Sequence, residues 1–161
     1  MDDPIIKKSL PADWWLPYLG KPWAAVPNPP ESYNCGELVR AAHRDLVGID
    51  TPPIPVTNAG SRSQCLKAMQ PEFFGLEPLP LKDVPRTLDV VFLGRRERFG
   101  HCGIVVWTTE GLRILHCPEA PCGVSLDTLL ELRVAGFPNL RVFRHRDMDA
   151  ALRDRAREVG R

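Results

Sequence analysis

A chain of 161 residues has room for one domain with a substantial core and too little for two of ordinary size. Its net charge of +1 supplies no global field for nucleic acid or an anionic membrane, and no uncharged run approaches the roughly 20 residues of a membrane span. The start, Met1-Asp2-Asp3-Pro4, is acidic and carries no apolar signal stretch, so synthesis in the cytoplasm is expected, with five reduced cysteines rather than a disulfide scaffold.

In chain order, Ala12 to Gly20 reads as a short helix ended by Gly20 and Pro22, and a loop through Pro27, Pro29 and Pro30 follows. Cys35 to Val47 is the clearest helix. Cys35, Val39, Ala42 and Leu46 recur on one stripe, Asn34 can cap it with Glu37 as in a capping box, and Gly48 stops it. Thr51 to Pro55 is a loop, Ser61 to Met69 a second helix, and Pro71 to Pro85 a long irregular connection. Branched and aromatic residues predict strands at Leu88–Leu93, Gly103–Trp107, Leu112–Cys117 and Arg141–Arg144. Ser125 to Arg133 reads as a helix capped by Ser125. Asp147 to Val159 reads as a charged helix, apolar at Met148, Leu152, Ala156 and Val159. Helices first and an antiparallel meander after them make the class α+β. The expected organisation is one domain over 1–161, with a core at 12–146 and a C-terminal helix at 147–161.

The chemistry centres on Cys35 in Tyr33-Asn34-Cys35-Gly36-Glu37. A thiol in the first helical turn faces the positive end of the helix dipole, which favours thiolate. His101 and His116 follow in strand contexts. Strand alternation puts His101 on one face with Gly103 and Val105, and His116 with Ile114 and Leu112. A hairpin with Leu112 opposite Trp107 and a Thr108–Gly111 loop sets His116 opposite Gly103 and diagonal to His101. Diagonal neighbours lie about 7–8 Å apart, within reach of two imidazoles. The same register sets Cys102 opposite Cys117 on the other face. A bulge at Gly111 would break this geometry.

Other readings stand beside this one. Cys35 fits an inert buried thiol, and Cys65, Cys102, Cys117 and Cys122 fit small core residues. His101, Cys102, His116, Cys117 and Cys122 are rich enough in ligands to suggest zinc. Adjacent strand residues diverge, however, and no C-x2-C pair exists, so no metal is assigned. Trp14, Trp15 and Trp23 suit either a groove or the core. The arginines after Arg144 alternate with acids, as on a solvated helix face.

These motifs together resemble the NlpC/P60 cysteine peptidases, a papain-like family, and most of all the variant of phage and prophage tails. The residues that carry the resemblance are Asn34-Cys35-Gly36-Glu37-Leu38-Val39, Leu88-Asp89-Val90-Val91-Phe92, His101-Cys102-Gly103-Ile104-Val105 and Leu115-His116. The tail variant is also similar in Tyr18-Leu19-Gly20-Lys21-Pro22-Trp23, in Leu46-Val47-Gly48-Ile49-Asp50, in Gly123-Val124 and in Phe143-Arg144-His145.

The resemblance implies an antiparallel sheet packed against the cysteine helix and hydrolysis of amide bonds in peptidoglycan stem peptides. It makes Cys35 the nucleophile, His101 the general base and His116 the residue that orients it, with no cofactor. Tyr33, Asn34, Glu37 and Gly103 would lie against substrate. Partners would be a peptidoglycan peptide and phage tail proteins, reached after synthesis in a bacterial cytoplasm. Two positions depart from the family: Asn34 stands where Asp is usual and Glu37 where glycine is. They keep two further readings open, a tail-assembly or wall-binding module without activity, and an acyltransferase or amidase with a non-wall substrate.

Overall fold

The computed structural model describes residues 3–120 and 123–161, so Cys122, weighed above as a zinc ligand, lies outside the described residues. Pro4–Ser9 forms α1, an element not expected from the sequence. Too short to be stable alone, it is held by tertiary contacts: Ile6 is buried, and Ser9 Oγ donates to the Leu152 carbonyl at 3.0 Å. The predicted helix at 12–20 is instead a run of turns, with Leu16 N–H bonded to Asp13 O and Leu19 N–H to Leu16 O. Pro17 has no N–H to continue a helix.

Cys35–Val47 is α2, as the periodicity predicts, ended by Gly48 in the left-handed conformation. Arg62–Ala68 is α3, capped by Ser61. The segment read as irregular holds a 3-10 turn at Pro71–Phe74 and a short strand, β1, at Leu76–Pro78. Then come β2 (Val90–Arg95), β3 (Arg98–Thr108), β4 (Gly111–His116) and β5 (Ser125–Asp127), followed by α4 (Leu129–Val134), β6 (Asn139–His145) and α5 (Met148–Val159).

Ser125 is therefore not a helix cap. It lies in a strand opposite His116, and Thr128 starts α4 through a capping box with Glu131. β3 runs five residues further toward its N-terminus than predicted, because a register shift at Leu93/Gly94 lets Arg98 and Phe99 pair. Only glycine fits at 94, where a Cβ would lie 1.9 Å from the Arg98 carbonyl oxygen.

The class is α+β: a six-stranded sheet, all of whose pairings are antiparallel, is packed against helices. Its order is β1-β6-β2-β3-β4-β5. The predicted meander holds from β2 to β4, the unpredicted β5 extends it, and β6 crosses to the far side of β2. The sheet is covered on both faces. Val90, Phe92, Cys102, Ile104 and Val106 share a core with Leu38, Val39 and Ala42 of α2, closed by Met148 and Leu152 of α5. On the opposite face Val91, Leu93, Val105 and Ile114 lie under Leu132 and Phe137. Two buried faces explain why β2 reads as a continuous apolar run without alternation.

Candidate active site

Cys35 opens α2. Asn34 precedes it in extended conformation, and its Oδ1 accepts the Glu37 N–H at 2.9 Å, which is the cap the sequence predicts. The reciprocal half of the capping box is absent. The Glu37 carboxylate instead accepts from Arg40 Nη1 at 2.7 and 2.9 Å, while Arg40 Nε donates to Thr51 O. The negative charge near the thiol is thus met by a guanidinium one turn on. Gly36 is explained sterically, since a Cβ there would lie 2.8 Å from Ile54 Cδ1.

The histidines come together through the hairpin of β3 and β4. Gly103 pairs with His116 and Trp107 with Leu112, and Thr108 pairs with Gly111, leaving Thr109 and Glu110 as the loop. His101 Nε2 lies 2.8 Å from His116 Nδ1. The His101 ring stacks on Phe137, with centroids 4.8 Å apart and planes at 19°. Gly103 is buried beneath the pair: a Cβ would lie 2.7 Å from Ile114 Cγ2 and 3.0 Å from His116 Cβ. It makes room for the histidines and does not line the cleft. Beyond His116, Nε2 lies 2.7 Å from Asp127 Oδ2 and 3.2 Å from Ser125 Oγ.

The electrostatics favour a reactive sulfur. A hydrogen bond from the Cys102 thiol, then the charge and hydrogen bond of His101, hold the Cys35 thiol well below the ordinary cysteine range, although burial pushes it up. The shared hydrogen bond with Cys35, with burial behind it, pushes the Cys102 thiol well up. Burial and then His101 lower His116, opposed by Asp127.

A cleft of about 460 Å³ opens over Cys35 and His101, with Trp23, Leu66 and Phe137 among its apolar walls. Arg62, Arg95 and Arg98 line it against one acid, Glu119, and none of the three is in an ion pair among the described residues. Asn34 and Glu37 line a small recess beside Cys35. Tyr33 lies in the core against Tyr18, ring centroids 5.9 Å apart, and its carbonyl accepts from the Cys117 thiol. Trp14 is buried, so of the three tryptophans Trp23 is the one at the cleft. A larger cleft of about 860 Å³, between the C-terminal end of α2 and α5, contains neither Cys35 nor His101.

Among the described residues no three His, Cys, Asp or Glu side chains converge as a metal site, and no helix is long and apolar enough to cross a membrane. Asp127, Ser125, Phe137 and Cys102 are the neighbours of the site that the sequence reading missed. The signal for Asp127 was its alternation with Ser125, legible only once that segment is taken as a strand.

No protein-family model matches the chain, and no curated protein does. Among solved structures, an N-acetylmuramoyl-L-alanine amidase from Bacteroides uniformis ATCC 8492 is similar at a TM-score of 0.45 and 11% identity, over 87% of this chain and 96% of that one.

Proposed function

We propose that this chain is a cysteine peptidase of the NlpC/P60 type that hydrolyses amide bonds of peptidoglycan stem peptides. The observation that carries the reading is the shared cleft: Cys35, at the head of α2, lines it together with His101, whose Nε2 lies 2.8 Å from His116 Nδ1. The motif order around these residues supports the family and the substrate, and the unpaired Arg62, Arg95 and Arg98 suit a peptide that carries carboxylates. A place in a phage or prophage tail, after synthesis in the bacterial cytoplasm, belongs to the same proposal and rests on the similarity at Tyr18–Trp23 and Leu46–Asp50.

The chemistry follows from the geometry. His101 takes the Cys35 proton, and the thiolate attacks the scissile carbonyl carbon. The Cys35 N–H, at the first residue of α2, has no intrahelical acceptor and would donate to the oxyanion. The carbon–nitrogen bond breaks as His101 protonates the leaving amine, giving a thioester. Water then attacks with His101 as base, releasing the carboxylic acid and restoring the thiol.

The test is to incubate the reduced protein with purified muropeptides and follow the products by mass spectrometry. Wild type should yield fragments that sum to substrate plus one water, and Cys35→Ala should yield none. Hydrolysis retained by Cys35→Ala, or no product from a wild type whose Cys35 is reactive, contradicts the reading.

A further inference from the structure

Asp127 closes a chain of contacts that begins at His101, which lines the same cleft as Cys35. Ser125 pairs with His116 and Asp127 with Ile114, so the two side chains share the His116 face, Asp127 from the diagonal position. The contacts run from His101 Nε2 to His116 Nδ1 at 2.8 Å and from His116 Nε2 to Asp127 Oδ2 at 2.7 Å. His116 is 1% exposed and the His101 ring is stacked on Phe137, so the contact between the two imidazoles is buried.

An ionised carboxylate only accepts hydrogen bonds. Nε2 of His116 therefore carries the proton and donates to Asp127. In the neutral ring Nδ1 is then bare and accepts, so His101 must donate to it from Nε2. That leaves His101 with a bare Nδ1, the form that can take the proton of Cys35. One carboxylate at the rim decides which nitrogen acts at the sulfur, two rings away. When His101 becomes an imidazolium, the same carboxylate offsets its charge without accepting a proton.

We infer that Asp127 is a positioning residue of the thiol site, fixing the tautomer and orientation of His101 through His116. The inference rests on the reading of Cys35 and His101 as the reacting pair. Other titratable groups bear on that pair: Cys102 from β3 and Cys65 from α3. Glu119 and Arg62, Arg95 and Arg98 line the cleft above it.

The experiment is the pH profile of Cys35 alkylation by iodoacetamide, read by peptide mass spectrometry. It compares wild type, Asp127→Asn, Asp127→Ala and Ser125→Ala, each with its melting temperature. Asn keeps an accepting carbonyl and loses the charge, whereas Ala loses both. The midpoint should rise from wild type to Asp127→Asn to Asp127→Ala, with alkylation at pH 6 about tenfold slower in the last, equivalent to a rise of about one pH unit. Ser125→Ala, which loses only the longer and uncharged contact to His116 Nε2, should shift the midpoint less than Asp127→Asn does. A wild-type thiol that does not react overturns the inference. So does a fall in rate or melting temperature in both Asp127 variants with no change of midpoint, as does a shift in Ser125→Ala as large as that in Asp127→Asn. If the expected order holds while no muropeptide is cut, the positioning role stands and the substrate assignment fails.

Discussion

His43 lies wholly inside the core on α2, its Nε2 2.9 Å from the Leu88 carbonyl oxygen. Burial pushes its pKa down to about 4, against the pull of that hydrogen bond, and His145, with its ring centroid 6.0 Å away, lowers it further. In the unfolded chain the same imidazole titrates near about 6.5. As pH falls from 6.5 toward 4, the unfolded state binds a proton that the folded state refuses, so stability drops. At about 1.4 kcal/mol per pH unit, the loss is roughly 2 kcal/mol by pH 5 and roughly 3 kcal/mol below pH 4. That is a large share of the about 5–15 kcal/mol that holds an ordinary domain. His116 and His145 are lowered by burial too and add slope of the same sign. The assay is therefore a difference: urea unfolding of wild type and His43→Gln at pH 7.5, 6 and 5. Gln can still donate to the Leu88 carbonyl but does not titrate. The wild type should lose about 2 kcal/mol more than the variant between pH 7.5 and 5. Equal losses would refute the reasoning, because the proton would then be binding His43 in the folded protein.

Three further outcomes are expected. Asp89 is fully buried, its two oxygens each 2.8 Å from Arg144 and one of them 2.9 Å from the Arg86 N–H. Asp89→Asn leaves a part-buried guanidinium without its counter-charge and should cost about 3 kcal/mol in urea unfolding; a change under 1 kcal/mol would mean the pair contributes little. Leu88 is fully buried at a φ of 75°. Leu88→Gly relieves about 1 kcal/mol of strain but removes a core side chain at about 3–5 kcal/mol, so it should destabilise by about 2–4 kcal/mol in the same assay. Cys102→Ala removes a donor from the Cys35 sulfur and should raise the alkylation midpoint of Cys35, whereas Cys102→Ser should largely keep it; identical midpoints in the two variants would discount the Cys102 contact.

Elements with strong local signals were legible in the sequence. α2 carries its cap, stripe and stop glycine within one stretch, and the hairpin register follows from alternation and a short loop. What failed depends on partners distant in the chain. The 12–20 segment is rich in helix-compatible residues, yet Pro17 and the burial of Trp14 and Tyr18 leave it as turns. Ser125 offered a cap, but pairing with β4 claims it, and the competing Thr128–Glu131 box starts the helix three residues later. β6 beside β2 is a long-range pairing that no local pattern announces. At the site, Cys35, His101 and His116 were placed in one neighbourhood by the sequence, while Asp127, Phe137 and Cys102 required the topology. Of the residues expected at the substrate, Tyr33 packs against Tyr18 and Gly103 lies beneath the histidine pair.

The most direct measurement of the central claim is Cys35 alkylation against pH in wild type and His101→Ala. The account predicts a wild-type midpoint well below the about 8.5 of a free thiol, moving up toward that value when the imidazole is removed. A wild-type midpoint at or above that value, unchanged by His101→Ala, would contradict the claim that these residues form a reactive pair.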